Sequence, residues 1–440
     1  METPTVQKSI WQNRNFLMLW TSETISQFGS QFTGLALPLT AIIILNANST
    51  ELGILTFAGT IPWLLFGLLV GVWVDRHRKR RIMVTSNILR GLLLSLIPVA
   101  AVLGMITRLG ILFLYGVSFF VGFLQVFFDV TYQSYLPSLV RRDQLVEGNR
   151  NLQASASTAQ VAGPTVAGIV ISIITAPIAI AIDASSFFAS AFALGRIDHE
   201  ETIGEKISKR SVRSDIREGL RVVLGDRRLR MIAGSTGTYN FFTNALGAIL
   251  LLYFVLPSPE GLGVSKSPVS VTAGLIFSIS SIGALVGVAL ATRITRAVGV
   301  GRAIVLSELI GGLGSIPYFL SGSLTASPLF TLAGLGINGY ILLVMAGQFV
   351  TNIAVIVYNV NQISLRQSIV PIRLQGRMNA TMRFLVWGTI PLGGLAGGLL
   401  GTFLGLRQAV GIAVIGGSLA FLWVLFSPVR TLKKIPEPLE

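Results

Sequence analysis

Apolar residues run through this 440-residue chain in long unbroken stretches, with polar residues confined to short intervals between them. About twenty consecutive apolar residues carry a helix across roughly 30 Å of hydrocarbon. Twelve segments meet that length: 16–45, 51–74, 82–106, 109–135, 150–174, 177–196, 228–256, 268–292, 303–323, 328–358, 379–404 and 408–427. The pattern predicts an all-α integral membrane protein of twelve transmembrane helices, since lipid leaves no partner for an open strand edge. The third and fourth segments, and the fifth and sixth, are joined by very short turns. One long polar stretch, Ile197 to Arg227, separates the sixth from the seventh. Within it Ser214-Asp215-Ile216-Arg217-Glu218-Gly219-Leu220-Arg221 reads as an amphipathic helix on the membrane surface.

Composition agrees: 52% of residues are hydrophobic and 12% charged, about half the charge of a soluble domain. The net charge of +15 could point to nucleic acid, so its placement decides its meaning. Thirty of the 34 Lys and Arg fall at the termini or in alternate loops on the same side as the termini. Arg108, Lys266 and Arg407 fall on the opposite side, and Arg90 lies inside the third segment. The positive-inside rule then predicts that both termini are cytoplasmic, and the basic excess is orientation rather than a nucleic-acid footprint. The first apolar segment is too long for a signal-peptide core, so a multi-pass protein of the cell (inner) membrane is expected. With no cysteine and only His77 and His199, both in polar loops, no metal site is expected.

The two halves carry a faint repeat. Val161 to Gly168 aligns with Pro391 to Gly398, and one offset of 230 residues pairs Gly163 with Gly393 and Gly168 with Gly398. The same offset pairs Val130 with Val360, Ser138 with Ser368, Val140 with Val370 and Asn149 with Asn379. This predicts two related six-helix bundles, residues 1–196 and 228–427, with a linker at 197–227 and a tail at 428–440. Repeated bundles are a common architecture of alternating-access transporters.

The loop after the second segment reads Gly71-Val72-Trp73-Val74-Asp75-Arg76-His77-Arg78-Lys79-Arg80-Arg81. On these residues the chain resembles the major facilitator superfamily, whose loop motif is Gly-x-x-x-Asp-Arg-x-Gly-Arg-Arg; Arg78 stands where that family has glycine. The resemblance implies a conformational latch of Gly71, Asp75, Arg76, Lys79 and Arg80, with Asp129 of the fourth segment pairing with Arg76 or Lys79. In the second half, Thr295 stands where Asp75 would align. Gly163-Pro164-Thr165-Val166-Ala167-Gly168 resembles the Gly-Pro-x-x-Gly-Gly signature of facilitator antiporters, with Ala167 in place of one glycine. Small residues and a proline there suit an interface that reshapes between states. Trp20 to Thr40, Arg90-Gly91, Tyr135 to Val140 and Arg217 to Arg221 are similar to the branch that holds macrolide-efflux proteins and the enterobactin exporter.

Polar residues inside the apolar segments form stripes at helical spacing. Glu23, Gln27 and Gln31 share one face of the first helix, and Gln125, Asp129 and Gln133 one face of the fourth. Tyr239, Asn240, Thr243 and Asn244 cluster in the seventh, and Gln348, Asn352, Tyr358 and Asn359 in the tenth. The facilitator resemblance implies that these four helices line one central cavity, so Glu23, Gln27, Gln31, Gln125, Asn240, Asn244, Gln348 and Asn352 are the expected substrate and proton pathway. Amides also serve as interhelical glue, so each residue keeps that alternative. Glu23 binds a proton, a cationic substrate group or each in turn, or else is structural. Arg90 snorkels or pairs with a carboxylate. Asp183 and Glu308 are expected to pack or pair.

There is no phosphate-binding Gly-x-x-x-x-Gly-Lys-[Ser/Thr], so ATP-driven pumping within this chain is not expected. Intramembrane acids scattered over different helices also argue against a membrane-embedded enzyme. The expectation is a monomeric secondary transporter without cofactors, coupled to H+, that exports small amphiphilic molecules such as a drug, macrolide, siderophore or secondary metabolite. Uptake, or lysophospholipid movement, on the same fold is the alternative.

Overall fold

The computed structural model describes residues 10–74, 77–141, 144–199, 201, 212–257, 261–262, 264, 269–320, 330–332 and 335–434. Twelve helical spans among these residues are long and apolar enough to cross a membrane. The first six are α1 (Arg14–Ile44), α2 (Ser49–Val74), α3 (Lys79–Val102), α4 (Ile106–Leu139), α5 (Leu145–Ile174) and α6 (Ala176–Gly195). A separate amphipathic helix, α7 (Val212–Gly225), falls within the linker. The second group is α8 (Arg227–Val255), α9 (Val269–Val298), α10 (Val300–Leu313), α11 (Gly339–Ile369), α12 (Ile372–Trp387), α13 (Thr389–Leu404), α14 (Leu406–Ser418) and α15 (Phe421–Leu425).

Local chemistry sets several boundaries. Asn13 caps α1 by accepting from the Asn15 and Phe16 amides at 3.1 and 3.2 Å. Asp226 caps α8 through the Arg228 and Leu229 amides. The short turns expected between paired helices are present, with Gly104 at φ 64° and Thr175 at φ 77°. The eleventh span is two helices, with Gly388 standing between α12 and α13 and Pro391 following. Pro391 cannot donate a backbone hydrogen bond, which loosens that turn.

The tenth span departs from the expected 328–358. Its helix starts at Gly339, where Asn338 accepts from the Ile341 amide at 2.9 Å, and runs on to Ile369. Before it, β1 (Phe330–Leu332) and β2 (Leu335–Ile337) pair as a small antiparallel hairpin. Apolar content alone had extended the span backwards, because Gly-rich hydrophobic sequence reads the same in a hairpin as in a helix. Of the other bounds, α9 runs on to Val298 past the expected 292, α10 ends at Leu313 short of 323, and α12 starts at Ile372 ahead of 379, while the rest lie within about five residues of expectation.

Helices α1 to α6 pack mainly among themselves, as do α8 to α15. Two seams join the groups: α5 against α9, and α2 against α13. Both lie toward the end of the bundle opposite the termini. Large apolar side chains cover the outer surface, with Phe403, Val102 and Leu112 each about three-quarters exposed. A continuous apolar belt of this kind is solvated by lipid tails.

Candidate functional site

The first group of helices buries charge. Glu23, Arg90 and Asp183 are at most 8% exposed, on α1, α3 and α6. Asp183, Asp129 and Glu23, on α6, α4 and α1, lie near enough to Arg90 to interact with its charge through space. The Arg90 guanidinium lies 3.8 Å from the centre of the Phe187 ring, a cation–π contact in a dry setting. A polar chain leads away from it. Arg90 donates to Asn87 Oδ1 at 3.4 Å, Asn87 Nδ2 to Ser190 Oγ at 2.7 Å, and Ser190 shares a 2.6 Å hydrogen bond with Ser22. This chain connects α3, α6 and α1 next to Glu23. Arg90 is therefore buried within the bundle, hydrogen-bonded to Asn87 and stacked on Phe187, rather than reaching out to the membrane surface.

Glu23 is satisfied on one oxygen. Gln27 Nε2 donates to Glu23 Oε1 at 2.6 Å, while Oε2 is buried and has no hydrogen-bond partner. On α4, Gln125 Nε2 donates to Asp129 Oδ1 at 2.6 Å. The i, i+4 spacing read from the sequence thus appears as an amide–carboxylate bond on each of the two helices. Gln31 Nε2 reaches the Gln27 carbonyl at 3.4 Å. In the second group, Asn240 Nδ2 donates to the Val386 carbonyl at 3.3 Å and Asn244 Nδ2 to the Asn240 carbonyl at 2.8 Å. Asn352 donates to Ser280 Oγ and, at 3.1 Å, to the Gln348 carbonyl. All these residues except Glu23 are half-buried, and most of their hydrogen bonds stay within one helix or reach a direct neighbour.

A cavity of about 310 Å³ opens between the two groups toward the termini end. Trp63 and Gly67 of α2, Gln133 of α4, and Asn379, Arg383 and Trp387 of α12 line it. Trp63 and Trp387 meet edge to face at 5.4 Å, and Arg383 donates to Gln133 Oε1 at 3.3 Å across the gap. Aromatic faces beside a guanidinium and two amides suit a ligand with apolar and polar parts. Gln133 was part of the α4 stripe; Trp63, Arg383 and Trp387 were missed, because nothing in their spacing sets them apart from lipid-facing or loop residues.

The seams opposite bring backbone against backbone, with a cavity of about 540 Å³ beside Ile171 and Ser270 at the outer edge of the α5–α9 seam. A Cβ added at Gly168 would lie 2.3 Å from the Ser270 carbonyl oxygen, and Ser270 Oγ donates to the Gly168 carbonyl at 2.9 Å. Gly274 meets the Pro164 carbonyl as closely, and Ala167 is fully buried. Gly163 faces inward, against the Gln31 side chain. The Gly163-Pro164…Ala167-Gly168 segment therefore touches both the pathway stripe and the opposite bundle. On the other seam, Thr402 Oγ1 binds Ser49 Oγ at 3.0 Å and Thr50 Oγ1 at 2.7 Å.

In the expected latch, Asp75 and Arg76 lie outside the described residues. Gly71 is half-buried, and an added Cβ there would meet nothing within 4 Å. Lys79 Nζ donates to the Ser134 carbonyl at 2.9 Å rather than to Asp129, whose hydrogen bond is to Gln125. Asp129 sits deeper in α4 than the end of α3, so among the described residues the Lys79–Asp129 pair is not formed in this conformation. A different tie takes its place: Glu201 accepts from the Lys79 and Arg80 amides, the latter at 2.8 Å, and Arg80 donates to the Gly195 carbonyl. A carboxylate on a helix N-terminus is well placed electrostatically. Glu201 carried no sequence signal, since it lies in a stretch without periodicity. The linker segment is also anchored: Glu218 pairs with Arg377 at the start of α12, and Gly219 packs on the Arg377 backbone and the Thr381 side chain.

The sequence profile of the Major Facilitator Superfamily matches residues 19–364. The chain is similar to the uncharacterized MFS-type transporter YfiS of Bacillus subtilis (strain 168), 23% identical over 418 residues, spanning 92% of this chain and 91% of that protein. Among solved structures, the nucleoside transporter NupG superposes with a TM-score of 0.71 at 12% identity, over 93% of this chain and 97% of NupG. A bacterial homologue of the iron transporter ferroportin, in its inward-facing state, gives 0.70 at 14% identity, over 95% and 99%. A bacterial homologue of the human lysosomal transporter Spinster, inward-facing and unoccupied, gives 0.69 at 14% identity, over 94% and 97%.

Proposed function

The chain belongs to the major facilitator superfamily and is a multi-pass membrane transporter of that type, and from this premise we propose that it exports small amphiphilic molecules by proton antiport. The observation that carries this reading is the half-satisfied Glu23: a buried carboxyl with one oxygen bound to Gln27 and the other without a partner. Such a group is stable in hydrocarbon when it holds a proton or a ligand cation, and unstable when it holds neither. Arg90, shared with Asp129 and Asp183, moderates that cost without forming a hydrogen bond to Glu23. A carboxyl balanced in this way can exchange its proton for cargo.

Alternating access then proceeds on the two seams. In the conformation described, the end away from the termini is sealed by the α5–α9 and α2–α13 contacts, and a cavity opens toward the other end. The charge bias supports a cytoplasmic place for that other end, and with it entry of the cargo into the Trp63–Trp387 cavity from the cytoplasm or inner leaflet. The aromatic and amide lining supports an amphiphilic cargo. The resemblance to macrolide-efflux proteins and the enterobactin exporter supports a drug, macrolide, siderophore or secondary metabolite, in the cell membrane and without ATP.

The test uses inside-out vesicles carrying the protein. An acid interior is expected to drive uptake of a cationic amphiphilic dye into the vesicles, and a protonophore to abolish it. Dye uptake that ignores the proton gradient, with fluorescent lysophospholipid translocated instead, would replace this reading with lipid movement.

A further inference from the structure

The second bundle holds a carboxyl that the transport scheme above leaves unused. Glu308 of α10 is 5% exposed, and Ser235 of α8 and Tyr358 of α11 are its polar neighbours. Its surroundings differ from those of Glu23, because no Lys or Arg lines its cavity. The titratable groups facing it are Tyr239 from α8 and Tyr358 from α11, while α9, α14 and α15 contribute no lining residue. A buried carboxylate without a cation is among the most costly groups a membrane protein can hold.

Counting hydrogens shows how the cost is avoided. Four hydrogen bonds connect this cluster. Ser235 Oγ is 2.9 Å from the Ala420 carbonyl and is also bonded to Glu308 Oε2. Thr236 Oγ1 is 2.9 Å from the Ile232 carbonyl and 2.6 Å from Tyr358 Oη. Each hydroxyl has one hydrogen to give, and a carbonyl has none. If Thr236 donates to Ile232, Tyr358 donates to Thr236, and its oxygen then offers Glu308 a lone pair. If Ser235 donates to Ala420, its oxygen does the same. The three hydroxyls have three hydrogens for these four bonds, so when Ser235 gives its hydrogen to the Ala420 carbonyl, the bond between Ser235 and Glu308 takes its hydrogen from the carboxyl.

We propose that Glu308 is a second proton-binding site, in the C-terminal bundle, which is occupied in this conformation and empties when α8 moves against α10 and α11. A cavity of about 50 Å³ beside it gives the proton a way out. Thr236, Tyr239, Asn240, Tyr358 and Asn359 line that cavity, and a space of this size holds a water molecule. Asn240 belongs to the expected pathway, so the cavity leads from Glu308 toward it. This assignment stands apart from export direction and from Glu23, because it rests on the hydrogen count within the second bundle.

Infrared difference spectroscopy on the full-length protein in lipid nanodiscs tests it. At neutral pH the C=O stretch of protonated carboxyls is expected in wild type, with one component that persists in Glu23→Gln and is lost in Glu308→Gln. Glu308→Gln keeps a hydrogen donor at the site and should fold. Ser235→Ala and Tyr358→Phe each remove one neighbour and should shift the same band, which keeps the test valid if Glu308→Gln fails to fold. A spectrum in which none of these substitutions alters a protonated-carboxyl band would overturn the proposal: Glu308 would then be ionised, with Ser235 turned toward it and away from Ala420. Loss of the band on adding sodium at constant pH would also overturn it, because the ligand would be a metal cation.

Discussion

Gly168 and Gly398 occupy corresponding places on the two seams. Gly168 of α5 lies against Ser270 near the start of α9, and Gly398 of α13 lies against Ser49 and Gly53 at the start of α2. Their partners 230 positions apart, Gly163 and Gly393, face instead the first helix of their own bundle, at Gln31 and the Phe241 carbonyl. One glycine in each pair thus lets the bundle pack on itself, and the other lets it close on its opposite. Backbone-to-backbone approach is what small residues allow in a bilayer, where no hydrophobic force draws helices together.

Gly168→Ala should therefore weaken the sealed end. The new methyl would fall on the Ser270 carbonyl, which cannot rotate away, and overpacking of this kind costs about 1–3 kcal/mol. Thermal unfolding in nanodiscs should show a lowered midpoint, together with reduced transport. Gly116→Ala in α4, where an added Cβ meets nothing within 4 Å, should leave both unchanged.

The chain has no cysteine, so a designed crosslink needs no prior substitution. Thr50 and Thr402 touch through their hydroxyls at 2.7 Å across the α2–α13 seam. The double variant Thr50→Cys/Thr402→Cys should form a disulfide under mild oxidant, visible by a gel shift after protease cleavage between the bundles. Transport should stop on oxidation and return on reduction. A crosslinked protein that still transports would mean that this seam does not open in the cycle.

Arg90 should be among the positions least tolerant of change. Arg90→Met removes the charge shared by Glu23, Asp129 and Asp183 and keeps the apolar volume against Phe187. Leaving buried carboxyls without their cation should cost about 3–5 kcal/mol of stability. Arg90→Lys should not restore it fully, because an ammonium lacks the planar face that stacks on Phe187. Chemical denaturation of the detergent-solubilised protein reads both.

Outside the bilayer, Asp226 joins α7 to α8. Partial burial works against its charge, yet hydrogen bonds from the Arg228 side chain and amide and the Leu229 amide outweigh this and hold its carboxyl below the usual carboxylate range. Because its folded pKa lies below its unfolded one, its stabilisation is fully present above about pH 4 and is lost as pH falls through the folded value. Asp226→Ala should lower stability by about 0.5–2 kcal/mol at neutral pH, as the loss of an N-cap does. The gap between variant and wild type should narrow in acid.

Much of this architecture could be read from residue pattern because membranes impose simple lengths and a simple charge rule. The Glu23–Gln27 and Gln125–Asp129 bonds were legible for the same reason, being spacings within one helix. What escaped were relationships between helices. The Arg90–Asn87–Ser190–Ser22 chain joins small polar residues that look ordinary in any one segment, and Arg90 alone signalled it. Glu308 is expected from its segment to pack or pair, but its partners, Ser235 and Tyr358, come from α8 and α11 and are not legible there. The strand pair before α11 escaped because it is set by backbone pairing, which apolar content does not record.

The central claim is that Glu23 takes up and releases the proton that drives export. Proton flux in inside-out vesicles, followed with an internal pH dye as cargo is added, measures it directly. Wild type should release internal protons in step with cargo uptake, while Glu23→Gln should bind cargo yet move no protons and lose the dependence of transport on pH. Proton-coupled transport by Glu23→Gln with an unchanged pH profile would contradict the account.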